Sequence, residues 1–172
     1  MKRTIKLILL LSLFVPVCQA QQKQVETVEE YKALYDSLVC ALRATEKDTG
    51  NYVGKPFSEF VKRLEKHDVK PIRILLSGYD KALYPQNLWC ISIQFVTAKN
   101  ANFAWINKMI YPTVYIYFAE NMPYEKALSL SKEYKSYFTK EVEEFYSGAV
   151  IKSIGFYFMD GMYQSTYKQK RE

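Results

Sequence analysis

The stretch Trp89-Cys90-Ile91-Ser92-Ile93-Gln94-Phe95 alternates large apolar side chains with smaller or polar ones without a break. Successive side chains of a β-strand point to opposite faces, so a strict period of two predicts a strand with one face on a core and one less buried. Upstream, Ile72, Ile74 and Leu76 alternate with Arg73 and Leu75 until Gly78 ends the run, which reads as a preceding strand. Downstream, Val114, Ile116 and Phe118 alternate with Thr113, Tyr115 and Tyr117, which reads as a third. Between the last two lies the connection 98–112, carrying Phe103, Trp105, Met109, Ile110 and Tyr111. Connections of that length usually carry structure of their own or a function.

Helical signals flank this core of strands. Thr27 and Glu30 have capping-box spacing, and Tyr31, Leu34, Tyr35, Leu38, Ala41 and Leu42 then share one helical face. Asp48 to Asn51 carries turn chemistry, and Pro56 fits the first position of a second helix, with Phe57, Phe60, Val61 and Leu64 as its buried stripe and an end near His67. A third helix is expected from Pro123 to about Tyr146, where Gly148 stops it. Val150, Ile154, Phe156 and Phe158 mark a fourth strand, Asp160-Gly161 a hairpin turn, and Met162 to Tyr167 a fifth strand. Strands in runs rather than alternating singly with helices argue for an α+β fold. The expectation is a single, mostly antiparallel sheet of four to five strands packed by two to three helices, in the order α-α-β-β-β-α-β-β.

The 172 residues are 49% hydrophobic and 24% charged, the balance of a globular chain rather than a disordered or fibrous one. Lys2, Arg3 and Lys6 precede an apolar run from Leu7 to Val15, Pro16 breaks it, and Cys18 and Ala20 place small residues where a signal peptidase reads. That run is far shorter than the roughly 18 apolar residues that span a bilayer as a helix. The expectation is therefore cleavage after Ala20, leaving 21–172 as one exported α+β domain, periplasmic or extracellular, with no transmembrane span. Lipidation at Cys18 is the alternative. The leader takes three basic residues with it, so the formal net charge falls from +6 to +3, too mild to argue for a nucleic-acid partner.

The run Tyr52-Val53-Gly54-Lys55-Pro56-Phe57, placed after a first helix, resembles a motif in a group of small exported bacterial proteins of uncharacterised function. The resemblance implies a short helix, several strands, a long amphipathic helix and a final strand over 25–160. It implies no activity, cofactor or site residue.

Few residues suggest catalysis. His67 is the only histidine, which excludes sites built from two imidazoles, and its place at a helix end reads as capping. A Cys–His nucleophilic pair, Cys90 with His67, has no local signature, and an envelope hydrolase or transferase acting through that pair or through carboxylates is the alternative functional reading. Glu141, Glu143 and Glu144 read as the wet face of the third helix. There is no Cys-x-x-Cys, no His-x-x-x-His and no calcium loop, so no metal or cofactor is called for. Gly54-Lys55 before a helix could cradle an anion, but Pro56 removes a donor and the stretch reads as a structural turn. Cys40 and Cys90 both sit off the main apolar faces. One disulfide between them, outside the core, and two separately buried thiols both remain open.

Aromatic residues make up 16% of the chain, with 15 tyrosines. The phenylalanines fall on inward stripes, whereas Tyr115 and Tyr117 lie on the opposite face of their strand, and Tyr111, Tyr163 and Trp105 lie in the long connection or near an edge. Rings with hydroxyl tips suit a wet contact surface. A non-catalytic module binding a protein or glycan through Trp105, Tyr111, Tyr115, Tyr117 and Tyr163 is the expectation, against a second packed layer in which these rings are buried. A third reading has the strand Met162 to Tyr167 pairing with another chain.

Overall fold

The computed structural model describes residues 21–80 and 84–163. The expected leader 1–20, with Cys18 and Ala20, and residues 164–172, which hold most of the expected fifth strand, lie outside them. The fold is α+β. Its elements are α1 (Val28–Glu46), α2 (Phe57–Lys66), β1 (Arg73–Asp80), β2 (Tyr84–Gln94), α3 (Ala98–Ile106), β3 (Thr113–Pro123), α4 (Tyr124–Glu133), α5 (Lys140–Tyr146) and β4 (Ile151–Tyr157), with a 3₁₀ turn at Thr49–Asn51. The four strands form one antiparallel sheet in the order β1-β2-β3-β4.

Register assigns the two faces. The rungs Ile74–Ile93–Val114–Phe156 and Leu76–Ile91–Ile116–Ile154 lie on one side. The rungs Arg73–Gln94–Thr113–Tyr157 and Leu75–Ser92–Tyr115–Gly155 lie on the other. Helices α2, α4 and α5 pack on the aliphatic side, and α1 packs against α2. Edge-to-face rings knit this side together: Phe57 against Phe118 and Tyr146, and Phe60 against Phe156. The side carrying Ser92, Gln94, Thr113 and Tyr115 is the open face.

Local sequence accounts for the starts of α1 and α2. Thr27 caps α1 by accepting from the Glu30 amide at 3.1 Å, while Glu30 accepts from the Glu26 amide at 2.8 Å. Pro56 stands just before α2 in extended backbone. The Tyr52 to Phe57 motif clamps the outer edge of β4: the Gly54 amide donates to Ile151, Lys55 accepts from Ile151, and the Phe57 amide donates to Ala149. Gly54 adopts φ +79, a left-handed conformation that glycine takes at little cost. These amides are already engaged, so the turn reading of Gly54-Lys55 holds.

Three local expectations are corrected. The helix expected over 123–146 is two helices, because Lys135 and Ser136 adopt φ +52 and +61 and turn the chain. The break lets Ser136 accept from Ile74 and Phe138 donate to Ile72, covering one end of the outer edge of β1. The long connection 98–112, by contrast, carries structure of its own as its length implied, namely α3. Gly78 does not end β1, which runs on to Asp80. Trp89, expected beside Ile91 on the core face, is exposed, because the β1–β2 register shifts there and Leu88 takes the buried place.

At the start of the described chain, the Gln21 side chain is buried and fully engaged. Its Nε2 donates to the carbonyls of Lys70 at 2.9 Å and Phe95 at 3.0 Å, and its Oε1 accepts the Lys70 amide at 3.1 Å. Among the described residues, no helix is long and apolar enough to cross a membrane.

Candidate binding groove on the open face

Polar positions of the two central strands form the floor of a groove. Ser92 and Gln94 alternate with Ile91 and Ile93 on β2, and Thr113 and Tyr115 alternate with Val114 and Ile116 on β3. Ser77 of β1 and Ser92 share a hydrogen bond at 2.8 Å. The Gln94 amide is held from both ends: Arg73 Nη1 donates to its Oε1 and its Nε2 donates to the Tyr111 hydroxyl, each at 3.3 Å. Thr113 Oγ1 donates to the Tyr111 carbonyl at 3.3 Å. Ser92, Gln94 and Thr113 are buried. Burying such groups costs free energy that their hydrogen bonds only partly recover, so their place under cover needs a reason.

The cover comes from the long connection. Thr97 caps α3 by accepting the Asn100 amide at 3.2 Å. Asn100, wholly buried, donates to the Lys23 carbonyl and accepts the Val25 amide, which anchors α3 to the N-terminal segment. The ring of Phe103 meets Tyr31 of α1 at 6.0 Å, and the Tyr31 hydroxyl donates to the Ile110 carbonyl at 2.7 Å. Trp105 is left 73% exposed at the groove. On the other side Phe158, half exposed and at φ +62, closes the rim.

The resulting groove has a volume of about 400 Å³, within the usual range of small-molecule sites. Its polar lining is Ser77, Ser92, Gln94, Tyr111, Thr113 and Tyr115, and its apolar walls include Trp105, Phe158, Met109 and Leu75. Among the described residues, no aspartate, glutamate, lysine, arginine, histidine or cysteine lines it. Burial, with the neighbouring Cys90, Tyr157 and Tyr111 adding to it, raises the Tyr115 phenol above its ordinary value, so it stays a neutral donor and acceptor.

Of the five residues expected to form a binding surface, the groove gathers Trp105, Tyr111 and Tyr115. Tyr117 is half-buried farther along the open face, where its hydroxyl interacts with Cys90 and Tyr157. Tyr163, exposed, makes an isolated bridge with Met109 beside the groove rather than in it. Sequence reasoning did not assign Ser77, Ser92, Gln94, Thr113 or Phe158 to the site. The alternation that named the strand also put Ser92 and Gln94 on one face, and that was the available signal.

The other candidate chemistry is dispersed. Cys40 is exposed on α1 and Cys90 is buried on the open face, both as free thiols, so of the two open readings the bridge is not formed and only Cys90 is buried. Burial pushes the Cys90 thiol up to about 11, with a hydrogen bond from Tyr117 opposing it. His67 follows α2 on the helical side of the sheet, the opposite side from Cys90, which separates the Cys–His pair. Its backbone amide makes the cap, while its buried Nε2 has no partner. Glu141 and Glu144 are exposed on α5, Glu144 pairing with Lys140 at 3.6 Å. Glu143 lies half-buried in a shallow depression of about 420 Å³ that also holds Glu65 and Lys70. Among the described residues, no group of three His, Cys, Asp or Glu could hold a metal ion.

The chain matches no described protein family and no solved structure. A stretch of 54 residues, 31% of the chain, is 43% identical to part of the DNA mismatch repair protein MSH2 of Arabidopsis thaliana, of whose length the chain spans about 6%. Overlap of that extent shows no shared family.

Proposed function

We propose that the protein is a non-catalytic binding module whose ligand, a glycan or a segment of protein, lies in the groove between the open sheet face and α3. The observation that carries this reading is a concave site lined by exposed aromatic rings and neutral hydrogen-bonding groups, with no acid–base pair or activated thiol among the described residues of its lining. Aromatic walls supply contact area at low entropic cost, and neutral polar groups on a rigid sheet set orientation. The positive, apolar and small-residue pattern of the first 20 residues supports export, with the module acting in the envelope or outside it.

Screening the purified protein against mixed oligosaccharides and peptides by heteronuclear NMR tests this reading. Expected are ligand-dependent shifts clustered on Trp105, Tyr111 and Tyr115. Shifts confined to other surfaces, or turnover of any library member, would overturn it. N-terminal sequencing of the exported protein is expected to begin at Gln21; an acylated Cys18 would replace the free form with an anchored one.

A further inference from the structure

Resting on that reading, we infer that the groove takes an uncharged saccharide, stacked on Trp105 and read by the hydroxyl and amide groups of the floor. Four classes of ligand fit the lining less well. An extended peptide gains affinity by adding to a sheet edge, but this floor belongs mainly to β2 and β3, central strands whose backbone groups are paired on both sides. An amphipathic helix or an acyl chain would press apolar surface onto Ser92, Gln94 and Thr113, leaving the hydrogen-bonding capacity they do not use on one another and on Ser77, Arg73 and Tyr111 unmet. A nucleic acid needs cations along its phosphates, and among the described residues no lysine or arginine lines the groove. A charged small molecule would be desolvated there without a counter-charge in contact.

A neutral sugar ring answers both halves of the lining. Its hydroxyl rim offers donors and acceptors to Ser77, Ser92, Thr113, Tyr111 and Tyr115, and its flatter C–H face can lie on the exposed Trp105 ring. The Gln94 amide is the oriented element. Arg73 engages its oxygen, and its nitrogen points to the Tyr111 hydroxyl, which thereby accepts one bond and keeps its own proton to donate. Arg73 acts here as a positioning residue behind the floor, not as a charge in the groove.

The experiment is a titration of the whole protein with neutral gluco-, manno-, xylo- and chito-oligosaccharides and with their uronic-acid counterparts, followed by tryptophan fluorescence and calorimetry. A neutral member is expected to bind and perturb the fluorescence. Trp105→Ala should weaken it about tenfold or more, and the near-isosteric Thr113→Val severalfold, with far-UV circular dichroism unchanged in both. Preferential binding of the acidic series overturns the inference, as does neutral binding that neither substitution alters. A peptide that binds and is lost in Trp105→Ala, while no saccharide binds, overturns the saccharide assignment and leaves the groove reading standing. If no member of either class perturbs Trp105, both fail.

Discussion

The hydroxyl of Tyr35 on α1 donates to the carbonyl of Phe158 at 2.8 Å and accepts the Gly161 amide at 3.0 Å. One side chain thus holds the turn after β4 at both ends and fixes the Phe158 rim of the groove. Tyr35→Phe removes both bonds and keeps the ring. Its expected cost is about 1–3 kcal/mol, because the Phe158 carbonyl and Gly161 amide lose a partner. Urea denaturation of the two proteins measures it, and an unchanged midpoint would contradict the assignment.

Phe158 itself sits at φ +62 with its side chain half in water. A left-handed residue other than glycine costs about 1–2 kcal/mol, and a β-branched one costs more. Phe158→Gly should therefore lie within about 1 kcal/mol of the parent, since relief of that strain offsets the added freedom of the unfolded chain. Phe158→Val should be clearly less stable than Phe158→Gly. The reverse ranking in thermal melts would mean that the turn does not hold this conformation in solution.

Cys40 is exposed and Cys90 buried, and neither is bridged. A thiol reagent added to the native protein near neutral pH should modify Cys40 promptly and Cys90 only on the timescale of unfolding. Denaturation without reductant should then release the second thiol. Mass spectrometry after each step reads both outcomes; no titratable thiol under denaturation would restore the disulfide.

Alkaline pH should destabilise the fold. Burial raises the Cys90 thiol from its ordinary 9.0 to about 11, and raises the Tyr115 phenol as well. The folded chain then holds these protons more tightly than the unfolded one. The stability they contribute is whole below pH 9 and is lost as the pH rises through about 11. Cys90→Ala should flatten the fall in Tm over that window without abolishing it, because the tyrosine contribution remains.

What the sequence disclosed, and what it hid, divides along physical lines. The strands were legible because each alternates side chains between a core of Ile, Val and Phe and a polar face, and Ser92, Gln94 and Tyr115 sit where period two puts them. The α3 helix was not, because it buries only Asn100 and Ala104: its anchor is an amide with hydrogen bonds to Lys23 and Val25, invisible to a search for apolar spacing. Thr97 was its one local signal. The break between α4 and α5 falls on Lys135 and Ser136, neither of them glycine or proline. What pays for their left-handed backbone is the pairing of Ser136 and Phe138 with β1, a tertiary gain with no local mark. The groove combines a legible part with a hidden one: its floor could be read from the strands, its roof of α3 could not.

The clasp on Gln21 bears on the chemistry of a processed chain end. A terminal glutamine closes to a lactam when its own amine attacks the side-chain carbonyl carbon and the amide nitrogen departs as ammonia. Here that nitrogen bonds the Lys70 and Phe95 carbonyls, and losing it would strand both inside the protein. A polypeptide severed behind Ala20 would accordingly keep an open, basic amino terminus for as long as it remains folded.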